Sequence, residues 1–294
     1  MTIPPLRLVP AFWQETFDQF LDGIRENALL SSPYVGQKPI EQLCQNLQRR
    51  GIAETVQLTL LTTISEENLR RGGVDAAALM QLCKEIPHTR LIHLPHLHAK
   101  VYLADTHIAV ITSANLTHSG LYRNYEYGIW LQEPEVVRQI RADLLAYAAL
   151  GAEIEKEILP EIRRHTERVH ALEKQIGEQR DPLLQEAIQR VLQRATQPVL
   201  EARARAVSEN RIFAATVLYV LEREGPLTTP QLHQFIQAIH PDLCDDSVDR
   251  VIRGVHFGKR WKHMVRNAQQ YLKRKGKVSF DGTYWKITSR RGTP

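Results

Sequence analysis

No apolar run in the 294-residue sequence reaches the ~18 residues of a membrane-spanning helix, so no transmembrane segment is expected. Met1-Thr2-Ile3-Pro4-Pro5 lacks the basic cluster and apolar stretch of a secretory signal. Cysteine is scarce. Cys44, Cys83 and Cys244 lie far apart, with neither metal-ligand spacing nor a disulfide framework. Free, mostly buried thiols in a reducing cytoplasm are expected. Acidic residues nearly vanish from residues 250–294, where Asp281 stands alone among 13 lysines and arginines. The remaining composition is ordinary, 43% hydrophobic and 24% charged, which excludes disorder and a purely coiled-coil chain. The length is that of two domains, or of one large domain with an appendage.

The net charge of +5 is unevenly spread. Residues 1–204 carry 22 Lys+Arg against 25 Asp+Glu, a net of −3, and residues 205–294 carry 16 against 8, a net of +8. A basic block on a near-neutral body suits a polyanion, with nucleic acid the usual partner.

Helix and strand patterns alternate over residues 1–150. Helical spacing covers Phe12 to Arg25, Ile40 to Gln48, Val74 to Glu85 and Glu135 to Ala149. Strand patterns cover Val56 to Thr62, Thr89 to Leu94, His98 to Ala104, Ile108 to Thr112 and Tyr125 to Leu131, with a short apolar run at 28–32 that Pro33 ends. An α/β fold with a mixed sheet flanked by helices follows. Residues 151–208 read as a helical linker or arm, with Asp181 and Pro182 opening a second helix that ends near Pro198. Residues 209–294 read as a helical unit closed by a hairpin at Asp281-Gly282. There Thr228 or Thr229 caps one helix, Asp245 or Asp246 opens a short one, and Lys259 to Arg274 forms a long basic one. That order is the winged-helix pattern.

Chemistry concentrates in His98 to Tyr127. Residues two apart on a strand share a face, so His98 and Lys100 are expected on one side and Ala99, Val101 and Leu103 in the core. Ser113 and Asn115 share a face at the end of the next strand, and Glu126 adds a carboxylate from a third. An imidazole can attack phosphorus and form a phosphohistidine. Lysine and asparagine can stabilise charge on the non-bridging oxygens. A carboxylate on the other ring nitrogen would fix the tautomer. This chemistry needs no metal or other cofactor. A metal site at His93, His96 and His98 is disfavoured, because Lys100 would repel the cation and no acid or thiol completes the set. A His98, Asp105, Ser113 triad lacks the G-x-S-x-G elbow of the serine hydrolases. His107 and His118 read as loop residues; Tyr122 and Arg123 read as a solvated loop or as phosphate contacts, with the loop slightly favoured.

His98-x-Lys100-x4-Asp105, followed by Ser113-x-Asn115 and Glu126, resembles the H-x-K-x4-D motif of the phospholipase D superfamily. Thr112 stands where the family often has glycine. Asn115-Leu116-Thr117, Gly120-Leu121, Asn124-Tyr125-Glu126 and Ser32-Pro33-Tyr34 resemble its stand-alone nuclease branch. The resemblance spans roughly residues 10–150. It implies His98 as nucleophile, Lys100 and Asn115 as phosphate ligands, Glu126 as the partner of His98, Ser113 as a hydrogen-bonding site residue and Asp105 as a structural member of the motif.

The motif occurs once. In-line displacement needs a nucleophile and a proton donor on opposite sides of phosphorus, and a homodimer supplies the second histidine by symmetry. Trp261-Lys262-His263-Met264-Val265-Arg266-Asn267-Ala268, Tyr271-Leu272, Gly276 and Tyr284-Trp285-Lys286-Ile287-Thr288 resemble the N-terminal winged helix of Mrr-type restriction enzymes. Lys259, Arg260, Lys262, Arg266, Lys273 and Arg274 are the expected phosphate contacts. The combined expectation is a cytoplasmic, metal-independent nuclease acting on DNA, in restriction or antiphage defence, with an ATPase or helicase as a further partner and no membrane. A phospholipase or phosphatidyltransferase is the alternative, and a non-catalytic DNA-binding subunit of a larger complex is a third reading.

Overall fold

The computed structural model describes residues 6–10, 13–176, 182–208, 211–252 and 255–288. The chain divides into two compact units, Met1–Ala202 and Arg203–Pro294.

The first unit runs β1 (Leu6–Pro10), α1 (Gln14–Gly23), β2 (Asn27–Ser31), α2 (Gln37–Arg49), β3 (Gln57–Thr62), α3 (Glu66–Arg70), α4 (Ala76–Glu85), β4 (Thr89–His93), β5 (Val101–Ala104), β6 (Ile108–Thr112), α5 (His118–Tyr122), β7 (Tyr127–Leu131), α6 (Pro134–Leu150), β8 (Ala152–Glu153) and α7 (Leu159–Ile176), followed by α8 (Pro182–Ser208). Eight strands form one sheet in the order β1-β7-β6-β5-β2-β3-β4-β8. β2, β3 and β4 are mutually parallel and the other neighbours antiparallel. This is the mixed sheet flanked by helices that the sequence pattern predicts. The parallel strands are continuous apolar runs, Ala28-Leu29-Leu30 and Leu60-Leu61 among them, because helices cover both faces. α1 contributes Phe17, Phe20 and Leu21 to the core, and Ile24 follows them; Phe12 lies outside the described residues.

α7 packs on α3 and α4, burying Ile162 and Val169, with Arg70 Nε 2.6 Å from Glu173 Oε1. The cap expected at Asp181, and Gly177 before it, lie outside the described residues. Pro198 does not end α8, which continues to Ser208. Proline removes one helical hydrogen bond, but Ala195, Val199 and Ala202 continue a buried stripe past it, and packing overrides the breaker. The three cysteines are free and buried, and burial pushes their thiols up to about 12, 11 and 12 for Cys44, Cys83 and Cys244.

The second unit holds α9 (Arg211–Glu224), β9 (Leu227–Thr228), α10 (Thr229–Ile239), β10 (Asp249–Ile252), β11 (Val255–Lys259), α11 (Arg260–Arg274), β12 (Val278–Phe280) and β13 (Tyr284–Ile287). β12, β13 and β9 form one small sheet, and β10 and β11 an antiparallel pair. Thr228 caps α10 in a reciprocal box with Gln231. The Asp281 carboxylate takes the Thr283 and Tyr284 N–H groups in the hairpin turn, where Gly282 adopts φ 106°. The short helix expected at Asp245 or Asp246 is not there. Asp245 bonds the Ser247 N–H at 2.7 Å in a turn, and Asp246 accepts from Trp261 Nε1 and Gln237 Nε2. These carboxylates are spent on a turn and on tertiary contacts instead of a cap. Arg203, fully buried, pairs with Asp242 and meets His240 Nδ1 at 3.1 Å. Burial and that guanidinium push His240 down to about 3.

Candidate active site

β5 and β6 pair with Val101 opposite Ile111, and the Thr112 N–H donates to the Lys100 carbonyl at 3.0 Å. β7 returns along β6 with Thr112 opposite Gly128. This register gathers residues 98–100, 113–115 and 126 at one end of the sheet. His98 and Lys100 lie just before β5, not within it. The expected alternation along that strand is absent, because α1 covers one side, with Phe17 and Phe20 about Tyr102, and Leu103 is buried on the other.

Lys100 is 9% exposed. Its ammonium donates to the His98 carbonyl at 2.9 Å and lies 3.1 Å from Nε2 and 3.2 Å from Nδ1 of the exposed imidazole. Burial lowers the Lys100 pKa from its ordinary value, and the Glu126 charge opposes that shift.

Ser113 accepts from the Tyr127 N–H at 3.1 Å and donates a short bond to Glu126 Oε2. Asn124 Nδ2 donates to Oε1 of the same carboxylate at 3.1 Å. Glu126 is expected on the imidazole, but within the described chain its hydrogen bonds go to Ser113 and Asn124. The residue before β7 is carried beside Ser113 by the β6–β7 ladder, so the serine hydroxyl is the nearer partner. Asn115 keeps a buried Oδ1 with no partner among the described residues. Asp105 sits at the far end of β5 with φ 49°. Its carboxylate accepts the N–H groups of Arg25, Glu26 and Asn27 at 2.8–2.9 Å, which makes it a clamp on the start of β2.

Several supporting residues escaped the motif. Ser31 Oγ donates to the Ala99 carbonyl at 3.0 Å, between His98 and Lys100. Ser32 Oγ accepts the Leu116 N–H at 2.9 Å, just past Asn115. The end of β2 therefore holds both halves of the site. Tyr102 donates to the Ala114 carbonyl at 2.8 Å. Gly120 lets α5 close on the asparagine, since a Cβ there would stand 2.5 Å from the Asn115 carbonyl oxygen. Ser32 was signalled by the resemblance of Ser32-Pro33-Tyr34 to the nuclease branch; Ser31 carried no signal beyond the apolar run that Pro33 ends.

His93 is buried, with Nδ1 accepting the Ile64 N–H at 3.0 Å, while His96 is exposed. Among the described residues no three His, Cys, Asp or Glu side chains gather as metal ligands. His107 and His118 are exposed or nearly so, His118 stacked on Tyr122. Tyr122 is not a loop residue. It lies in α5, half-buried and bonded to Gln42, with Lys38 over its ring.

An imidazole and a nearly buried ammonium at one sheet end suit an anionic phosphoryl group. Residues 19–147 match the family described as cardiolipin synthase, PLD-like domain. These residues are a PLD-like domain. Among solved structures, NucT from Helicobacter pylori is 15% identical, with 48% of this chain and 94% of that chain covered and a TM-score of 0.39. Nuc from Salmonella typhimurium, a phospholipase D family member, is 13% identical, covering 50% and 96%, TM-score 0.42. Phosphatidylserine synthase from Haemophilus influenzae Rd KW20 is 12% identical, covering 60% and 46%, TM-score 0.46. No curated protein matches the chain. All six motif positions, His98, Lys100, Asp105, Ser113, Asn115 and Glu126, fall inside the PLD-like domain.

In the second unit Trp261, Val265, Ala268 and Leu272 form the buried stripe of α11. Arg260, Lys262, Arg266, Lys273 and Arg274 are exposed. Lys259 is engaged with Asp249 Oδ1 at 2.8 Å.

Proposed function

We propose that the chain is a metal-independent phosphodiesterase that cleaves nucleic acid, DNA foremost, through a phosphohistidine on His98. The observation that carries this reading is the exposed His98 ring resting on the nearly buried Lys100 ammonium. A ring nitrogen attacks phosphorus, the bond to the leaving oxygen breaks, and that oxygen takes a proton. Water then attacks phosphorus and the P–N bond breaks. Lys100 and the Asn115 amide hold the non-bridging oxygens, and Ser113 with Glu126 braces the adjoining strand.

The proton for the leaving group comes from the His98 of a second copy. An apolar row supports this pairing. Leu6, Leu8, Ile111 and Tyr127 are exposed, and the β1–β7–β6 register sets them on one face that leads to Ser113. Residues 1–150 carry the chemistry, 151–208 are a helical linker whose first helix packs on α3 and α4, and 209–294 act as a winged helix presenting α11 to DNA. Restriction or antiphage defence in the cytoplasm, with an ATPase or helicase partner, is the setting this combination suits. A lipid substrate is disfavoured by the basic second unit. No helix among the described residues is long and apolar enough to cross a membrane.

Plasmid, single-stranded DNA, RNA and phosphatidylcholine incubated with the protein in EDTA test the reading. DNA is cleaved and the lipid is not. Activity that vanishes in EDTA and returns with magnesium overturns the mechanism.

Lys100 binds phosphate only while protonated. Its pKa in the fold lies below the ordinary lysine value, so kcat/KM falls on the alkaline side earlier than an unperturbed lysine would allow. Glu126→Gln removes the charge that opposes the shift and moves this limb to lower pH. A limb that stays in place separates it from Lys100. The stability sign is opposite: the fold binds this proton more weakly than the unfolded chain, so the Lys100 contribution to stability rises as pH climbs through its lowered pKa.

A further inference from the structure

α11 buries one residue that its apolar stripe does not explain. Gln269 is 1% exposed, and its Nε2 has no hydrogen-bond partner among the described residues. An amide in that position weakens a fold unless something bonds to it in function. Gln269 lines a cleft of about 500 Å³ framed by α10, the end of β11, α11 and the β12–β13 hairpin. The volume is that of a small-molecule site, for which roughly 300–1,000 Å³ is usual. His233 Nε2, on the α10 side of the cleft, is also buried and has no partner among the described residues.

The rest of the lining is aromatic and cationic. Phe257 stands half-exposed, and its carbonyl is tied to α11 by His263 Nε2 at 2.5 Å. Arg250 meets the other ring nitrogen of His263 at 3.1 Å, so this wall is set before any ligand arrives. Phe280 stacks on Trp285 with ring centres 4.7 Å apart. Lys262 and Arg266, one turn apart on α11, are exposed along the cleft.

We propose that this cleft is a nucleotide site, in which a single base packs against Phe257 and Phe280, Gln269 reads its edge, and Lys262 and Arg266 hold its phosphate. Planar apolar walls, a buried donor and two cations are the complement of a base joined to a phosphate. The nucleotide is either one turned out of a bound DNA strand or a free mononucleotide. The first source rests on reading the second unit as a DNA-binding domain; the site itself does not.

The test uses the full chain carrying His98→Ala, so that DNA survives. One probe is a duplex containing 2-aminopurine, whose emission rises when the base leaves the stack. The others are free dAMP, dGMP, dCMP and dTMP. Duplex binding is read separately by anisotropy. Emission rises on binding, and adding Gln269→Leu removes the rise and weakens duplex binding about tenfold, the scale of lost base-edge hydrogen bonds. The melting temperature holds or increases, because leucine relieves an unpaired buried amide. Phe257→Ala, at an exposed position, removes the rise as well. Mononucleotide binding that Gln269→Leu abolishes, without any emission change, assigns the site to free nucleotide. Duplex bound with neither signal overturns the nucleotide site and leaves the DNA-binding reading standing. Mononucleotides bound without duplex do the reverse. Neither bound overturns both.

Discussion

His98→Ala lowers phosphodiester hydrolysis by roughly four orders of magnitude or more, the scale on which enzymes lose a covalent nucleophile. In a symmetric pair the substitution deletes nucleophile and proton donor together, so no half-active species remains. Thermal stability stays close to wild type, because the ring is exposed and, among the described residues, its side-chain hydrogen bonds are to Lys100. A variant retaining more than about a hundredth of the activity would falsify the phosphohistidine step. Asp105→Ala provides the contrast within the same motif. It touches none of the reacting groups but strands three backbone N–H groups, at Arg25, Glu26 and Asn27. Losing a charged acceptor of that kind costs about 2–4 kcal/mol, read as a lower urea midpoint.

Replacing Lys262 and Arg266 together with glutamate weakens DNA binding about a hundredfold at physiological salt, since two phosphate-facing cations become anions. The slope of log affinity against log salt flattens by about 2. α11 survives the change, because Trp261, Val265, Ala268 and Leu272 keep its stripe buried. Hydrolysis of a small phosphodiester is untouched, because His98 and Lys100 belong to the other unit. DNA affinity measured beside small-substrate turnover checks both halves of this expectation. Unchanged affinity with the fold intact means that α11 faces solvent or a protein.

The strands at Val56 to Thr62 and Ile108 to Thr112 were legible because their apolar runs mark buried strands. The gathering of His98, Lys100, Ser113 and Asn115 was legible because the two motif segments flank a tight β5–β6 pair. The partner of Glu126 was not. Which hydroxyl or imidazole a carboxylate reaches is decided by one residue of ladder register, and periodicity does not resolve that. β1 was invisible for another reason: it is an exposed edge strand of five residues ending in Pro10, with no buried alternation to announce it. α8 ran past Pro198 because long-range packing outweighed a local breaker. The buried Arg203, Asp242 and His240 set was equally silent, since its members lie 37 and 39 residues apart and gain meaning only through contact.

The clamp at Asp105 changes how the H-x-K-x4-D signature should be read across sequences. On the proposed mechanism its first two members and its last are under different constraints: His98 and Lys100 answer to turnover, Asp105 to folding. A lineage that abandons cleavage is free to let His98 and Lys100 drift while Asp105 persists, held by the N–H groups at the head of β2. On that reading, loss of the histidine beside a retained aspartate leaves a chain that still folds but no longer cuts.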